Sequence, residues 1–366
     1  MGRVALPLTP PVQPMLAKAV PSIPDGADLV FEPKYDGFRC LAFRDGDEVF
    51  LQSRSGKPLN RYFPEAEAAL REALPERSVV DGELVVDIAG KLDFDKLAER
   101  IHPAASRVTM LSETTPSRYI AFDILALGDD VLLETPTVRR REVLEQALVL
   151  GERVHLTPVT RDADLARRWF EIFEGAGLDG VMGKPADGEY TPNKRTLLKF
   201  KHSRTADCVV SGLRWYKDTE PGEAVGSLML GLYDHEGHLH HVGVVGSFPA
   251  ARRRELAQEM AELIPGGREA HPWAASDADH DVLRMPGSIS RWRTTEQPWV
   301  PLRLERVVEV AYEHTEGGYP GRFRHTAQFR RWRPDREPAS CTYEQLEEPA
   351  RYDLDAVLRG EVREKG

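Results

Sequence analysis

Short runs rich in apolar residues at 29–32 and 38–43 predict strands. The second run passes through the turn residues Asp45, Gly46 and Asp47 into Val49, Phe50 and Leu51, which predicts a hairpin. After Asn60 and Pro64 the pattern changes: Ala66, Ala69, Leu70, Ala73 and Leu74 recur at helical spacing until Pro75 ends it. Short strand-like runs return at 79–86 and 119–125, and helical patterns cover 94–101, 138–148 and 164–173. Hairpins mixed with helices, without regular strand–helix–strand repeats, predict an α+β domain built on antiparallel sheet.

Beyond residue 204 the pattern becomes one of short, spaced β runs, at 208–215, 227–233, 239–245, 306–314 and 326–332. A single helical stretch at 250–263 interrupts them. Five strands with one inserted helix suit a small Greek-key barrel such as an OB-fold. Residues 265–301, rich in Gly, Pro, Trp and Ser, read as a long ordered excursion without an internal signal.

Length supports the division. At 366 residues the chain exceeds the range in which one hydrophobic core keeps growing, so two domains are expected, 1–204 and 205–366. Hydrophobic residues at 41% and charged residues at 30% fit an ordinary soluble protein, and no apolar run is long enough for a membrane helix. The first residues lack the apolar stretch of a secretory signal, which points to the cytoplasm. Cys40, Cys208 and Cys341 form no close pair for zinc and no even set for disulfides, so buried thiols are expected.

A net charge of −10 argues against a nucleic-acid partner until its distribution is considered. Residues 194–204 hold five basic side chains and no acid, and residues 322–336 hold six arginines against the single acid Asp335. These are two basic patches on an acidic body, or else solvated arginine-rich surface.

The chemistry concentrates in Glu32, Pro33, Lys34, Tyr35, Asp36, Gly37, Phe38 and Arg39. A lysine between two strands, with a glycine that lets the backbone approach a ligand, attacks phosphorus only when its amine is uncharged. Arg54, Lys184, Lys199 and Lys201 are candidate neighbouring cations for it. Taken alone, Lys-x-Asp-Gly is a short pattern, more often a surface turn.

Order and context reverse that balance, because six further segments resemble the motif series of the covalent nucleotidyltransferases, the superfamily of ATP-dependent DNA ligases, RNA ligases and mRNA capping enzymes. Lys34, Asp36, Gly37 and Arg39 resemble the first motif, whose lysine carries the nucleotide. Ser53, Arg54, Ser55 and Gly56 resemble the next, whose arginine binds nucleotide and later the 5′-phosphate. Asp81, Gly82, Glu83 and Leu84 resemble the third, whose glutamate reaches the ribose and assists the metal. In the segment 119–125 the resemblance assigns adenine stacking to Phe122. Asp179, Gly180, Val181, Met182, Gly183 and Lys184 resemble the fourth motif, and Leu198, Lys199, Phe200 and Lys201 the fifth. Arg331, Trp332, Arg333, Pro334, Asp335 and Arg336 resemble the sixth, which closes over ATP and orients pyrophosphate.

The resemblance implies a catalytic set of Lys34, Asp36, Arg39, Lys199, Lys201, Arg331, Asp335 and Arg336. Glu32, Lys34, Arg39, Arg54, Glu83, Phe122, Lys184, Lys199 and Lys201 are expected to bind nucleotide, and Asp36, Glu83 and Asp179 to hold Mg²⁺ or Mn²⁺. Each has a structural alternative: Phe122 between Ile120 and Ile124 as core, Glu83 and Asp179 as turn residues, Lys184 as a strand-end charge. There are two departures. The fourth motif more often begins with Glu than with Asp179, and Arg336 replaces the usual lysine of the sixth.

Within the superfamily the chain most resembles bacterial DNA ligase C and the ligase module of ligase D. The signals are Pro14, Met15, Leu16 and Ala17 before motif one, Trp299, Val300 and Pro301, and the ending Arg336, Glu337 and Pro338. Only 31 residues precede Glu32, so the helical DNA-binding domain of larger ligases is expected to be absent. The 38 arginines against 11 lysines imply a high-GC genome. The implied activity is ATP-dependent sealing of 3′-hydroxyl/5′-phosphate nicks in duplex DNA through a lysyl-AMP and a DNA-adenylate, in repair. A monomer is expected, with a repair polymerase or end-binding protein for company. The rivals are a capping guanylyltransferase, an RNA ligase, or a silent DNA-end-binding module with the same fold.

Overall fold

The computed structural model describes residues 6–26, 28–102, 104–172, 178–201, 204–265, 271–274, 283–286, 298–346 and 354–359. Two units emerge, residues 1–202 together with 348–366, and residues 203–347. Among the described residues no helix is long and apolar enough to cross a membrane.

The first unit begins with β1 (Leu16–Val20), β2 (Leu29–Pro33) and the hairpin β3 (Phe38–Asp45) and β4 (Glu48–Ser53). Helix α1 (Pro64–Ala73) follows, then β5 (Arg77–Val85), the small ribbon β6 (Asp87–Ile88) and β7 (Lys91–Leu92), α2 (Phe94–Glu99) and α3 (Ala105–Thr114). Next come β8 (Arg118–Leu127), β9 (Asp130–Val131), α4 (Thr137–Ala147), β10 (Val154–Leu156), α5 (Ala163–Ile172), β11 (Val181–Pro185) and β12 (Arg195–Phe200). They form two sheets, one ordered β1-β12-β11-β2 and one ordered β10-β8-β5-β3-β4.

Strand alternation sorts the side chains. Cys40, Ala42, Val80 and Leu84 point to the face that α1 and α4 cover through Leu70 and Leu144. Leu41, Phe43, Val79 and Leu125 point the other way and meet Met15, Leu197 and Met182 of the other sheet. Phe31, Val181 and Phe200 on that sheet's far face pack on Trp169 of α5. The apolar interlayer between the sheets continues at one end into charge, because Arg39 lies two residues from Leu41, and Asp81 and Glu83 lie opposite Leu41 and Arg39.

In the second unit β13 (Arg204–Trp215), β14 (Val225–Tyr233) and β15 (Leu239–Val245) form a meander. Helix α6 (Ala250–Ala261) and the short β16 (Val300–Pro301) precede β17 (Val307–Tyr312), the ribbon β18 (Thr315–Glu316) and β19 (Arg322–Phe323), and β20 (Gln328–Trp332). The strand order is β15-β14-β13-β17-β20, and a bridge from Val245 to Ala327 links the two edges. This is the five-stranded barrel expected from the β runs, with the helix between its third and fourth main strands.

The first unit is built mainly on antiparallel sheet, as expected, and the pairs β1–β12 and β10–β8 are parallel. Helix α3 went unforeseen: only Val108 and Leu111 of it are buried, and Thr109 and Thr114 bond back to carbonyls four residues earlier, so its apolar stripe is thin. The residues expected as one domain, 205–366, divide between the two units. A last helix, α7 (Leu354–Leu358), belongs to the first, where Leu354 and Val357 join the core of Phe31 and Trp169, and Arg118 pairs with Asp355. Most of the expected excursion at 265–301 lies outside the described residues.

Candidate active site

Lys34 stands one residue beyond the end of β2. Its backbone N–H donates to the Gly180 carbonyl at 2.9 Å, and the Asp179 N–H donates to the Lys34 carbonyl at 2.8 Å, so two reciprocal bonds fix the lysine beside the entry to β11. Gly180 makes this approach possible. Its φ is +120°, and a Cβ there would lie 2.0 Å from the Phe200 carbonyl oxygen. Gly37 is similarly confined, with a virtual Cβ 2.3 Å from the Leu84 carbonyl. The Lys34 Nζ lies 2.5 Å from Asp179 Oδ2, and Lys201 Nζ reaches the same oxygen at 2.9 Å. One nearly buried carboxylate thus gathers two amines from separate segments, each side chain about a fifth exposed.

On the other sheet, Arg39 grips Asp81 with two parallel bonds of 2.5 Å. Asp81 is fully buried and also accepts from the Tyr190 hydroxyl at 2.6 Å, which itself accepts the Met15 N–H at 3.1 Å. Glu83 lies opposite Arg39 in the ladder. Burial pushes its pKa up to about 7, against the pull of Arg39 and Lys34.

Phe122 owes its direction to a bulge. Gly82 pairs Ala121 and Asp81 pairs Asp123, so Phe122 is the extra residue of β8. The Arg39 guanidinium lies 4.6 Å and the Lys184 ammonium 4.9 Å from its ring centroid. Lys184, almost fully buried, is 3.1 Å from Glu32 and 3.8 Å from Asp123, and donates to the Phe122 carbonyl at 2.9 Å. Burial raises the pKa of Glu32 despite Lys184. At Asp123 burial works in the same direction, but Lys184 and Arg140 outweigh it and hold that carboxyl below its ordinary value.

A cleft of about 670 Å³ opens above these groups, and Lys34, Asp36, Arg39, Arg54 and Glu83 line it. Asp179 and Lys201 join through the Lys34 ion pair, whereas Glu32, Lys184 and Phe122 form a linked cluster with Arg39. Lys199 stands opposite Met182, which in turn stands opposite Glu32. Arg331, Asp335 and Arg336 belong to the second unit, where Arg331 pairs with Glu309 at 2.7 Å, Asp335 with Arg333 at 2.8 Å and Arg336 with Asp207 at 2.8 Å. Asp234, Glu236 and His238 also converge in that unit and include none of the expected metal ligands.

Sequence reasoning missed the supporting residues Tyr190, Asp123 and Arg140, and it placed Asp81 in the third motif without a role. Asp81 carried a signal, two residues from Glu83 on the same strand face; Tyr190 carried none.

Residues 14–201 match the family model described as ATP dependent DNA ligase domain, and residues 221–336 match the ATP dependent DNA ligase C terminal region. DNA ligase C2 of Mycolicibacterium smegmatis is 54% identical over 349 residues, which cover 94% of this chain and 96% of that protein. DNA ligase C of Mycobacterium tuberculosis is 51% identical over 364 residues, 97% and 99% of the two chains. A solved structure from a study of Lig E DNA ligases covers 88% of this chain and 99% of its own with a TM-score of 0.52, and at 17% identity that likeness concerns the fold alone. The lysine cleft lies wholly within the first matched region and the arginine-rich β20 within the second, and with relatives alike over nearly their whole length this chain belongs to the family of ATP-dependent DNA ligases.

Proposed function

We propose that Lys34 is the AMP carrier of this nick-sealing ligase and that Asp179 prepares it. The amine nitrogen attacks the α-phosphorus of ATP, a P–N bond forms, and the bond to pyrophosphate breaks in line. Asp179, in contact with the amine at 2.5 Å, is the group through which its proton leaves. Arg54, Lys199 and Lys201 hold phosphate, and Phe122 faces adenine, with Arg39, Glu32 and Lys184 fixing that end of the nucleotide. AMP then passes to the 5′-phosphate of a nick, and the 3′-hydroxyl displaces it to join the strands. Arg331, Asp335 and Arg336 serve the first step.

Asp36, Glu83 and Asp179 offer the hard oxygen donors that Mg²⁺ or Mn²⁺ takes. Glu83 supports the fit, because burial lifts its pKa to about 7 and a bound cation would favour its ionised form. An ion held there supplies stabilisation of the negative charge that develops on the phosphates. Work in DNA repair, beside a polymerase or end-binding protein and as a cytoplasmic monomer, completes the reading.

The observation that carries it is Lys34 and Lys201 on one carboxylate beside a cleft lined by Arg39, Arg54 and Glu83. Intact mass after incubation with ATP should show an AMP increment that pyrophosphate discharges and Lys34→Ala lacks. An increment that survives Lys34→Ala, or that arises from GTP alone, refutes the proposal. Preference for nicked RNA over nicked duplex DNA would point to an RNA ligase.

A further inference from the structure

The second unit holds a nearly buried carboxylate to which the steps above assign no role. Asp207 lies on β13, opposite Glu309 of β17, which in turn lies opposite Arg331 of β20. Its two oxygens accept from Arg333 Nη1 at 3.0 and 2.8 Å, and Oδ2 also accepts from Arg336 Nη1 at 2.8 Å. Gln345 fixes the Asp207 backbone, accepting its N–H at 2.9 Å.

The other two nitrogens of each arginine also have partners. Arg333 gives Nε and Nη2 to Asp335, and Arg336 gives Nε and Nη2 to the hydroxyl and carbonyl of Ser340. A planar fork can span Asp207 and Ser340 together, which a lysine ammonium at position 336 does less well. What this clamp leaves facing solvent is Arg331 and Asp335, whose side chains are 67% and 63% exposed.

We infer that Asp207 is a positioning residue for the segment 331–336: it anchors Arg333 and Arg336 so that Arg331 and Asp335 face outward for AMP transfer to Lys34. Arg336 acts inside the clamp rather than at pyrophosphate. The inference rests on the reading that this segment serves the first step, so Arg331→Ala is the control for that reading.

The test compares wild type, Asp207→Asn, Asp207→Glu and Arg336→Gln. Asparagine keeps the shape of aspartate but loses the charge and turns an amide donor toward the guanidiniums. The readouts are kcat and KM for ATP in adduct formation, the rate of sealing a pre-adenylylated nick, and Tm. Asp207→Asn should slow adduct formation roughly 10- to 100-fold, mainly in kcat, while sealing of the pre-adenylylated nick stays within about two-fold. Asp207→Glu should recover part of the loss, and Asp207→Asn with Arg336→Gln should be little worse than either alone. Equal losses in both steps with a fall in Tm overturn the inference, as does a faster adduct rate, which would make Asp207 a restraint. Unchanged adduct formation in Asp207→Asn refutes it where Arg331→Ala is impaired; where Arg331→Ala is also unchanged, the first-step role of the segment fails with it.

Discussion

Glu83→Gln should make the protein more stable in alkaline solution and less able to load AMP. The carboxyl lies opposite Arg39 near Asp81 and Asp36, and burial lifts its pKa from 4.5 to about 7. At about 1.4 kcal/mol per pH unit, ionising Glu83 is then about 3 kcal/mol costlier in the folded chain than in the unfolded one. The sign follows from proton binding. Below pH 4.5 both states carry the proton and there is no penalty; between 4.5 and 7 the unfolded state releases it first, so stability falls as pH rises, and above 7 the full cost is present. Glutamine has no such titration. Glu83 keeps some solvent contact, so a gain of about 1–3 kcal/mol at pH 8 is the realistic range, or roughly 3–8 °C in Tm for a unit of this size.

Thermal melts of wild type and Glu83→Gln at pH 5 and pH 8 provide the assay. The two proteins should differ by less than about 1 kcal/mol at pH 5 and diverge at pH 8, with the variant the higher. Added Mg²⁺ should narrow the gap at pH 8 by stabilising the wild type, since a bound cation favours the ionised carboxyl. An equal gain at both pH values would mean better packing rather than a relieved charge, and a lower Tm for the variant at pH 8 would remove the argument altogether.

Further outcomes follow from the geometry around Lys34 and from the division of the chain. Gly180→Ala forces a Cβ against the Phe200 carbonyl at a φ of +120°, and should cost about 2–4 kcal/mol and most of the AMP adduct; a variant with native Tm and full loading would show that the turn is not confined. Leu354→Ala with Val357→Ala empties two fully buried positions and should lower the stability of the first unit by about 3–6 kcal/mol. Calorimetry that instead shifts the second unit's transition would place α7 on the wrong unit.

Much of the fold was legible because period and turn chemistry agree locally. The β3–β4 hairpin, α1, α4, α6 and the five barrel strands fall where short apolar runs, helical spacing, the Asp45–Gly46 turn and prolines put them. What escaped depends on distant partners. The bulge that aims Phe122 arises from how β8 pairs with β5, and α7 is defined by the core it enters, more than 150 residues from its neighbours Phe31 and Trp169. The site divides in the same way. Lys34, Asp36, Arg39, Arg54 and Glu83 stand in short motifs whose order is readable. Tyr190 and Asp207 act by reaching residues 109 and 126 positions away, and no local pattern encodes that.

Charge along the sequence misleads for a related reason. The six arginines of residues 322–336 read as a basic patch, yet in three dimensions Arg322 pairs with Glu316, Arg331 with Glu309, Arg333 with Asp207 and Asp335, and Arg336 with Asp207. These acids lie 2 to 129 positions from their partners, and only Asp335 falls inside the run. A phosphate that approaches Arg331, Arg333 or Arg336 therefore meets a guanidinium already engaged by carboxylates, and each new contact there must exchange with an existing one. Counterion release from this segment is smaller than its arginine count implies, so its contribution to the salt dependence of DNA binding falls below that of six free cations. A chain with net charge −10 can carry such a segment because its own acids neutralise the arginines and hold them in fixed directions, a use of charge that serves geometry before attraction.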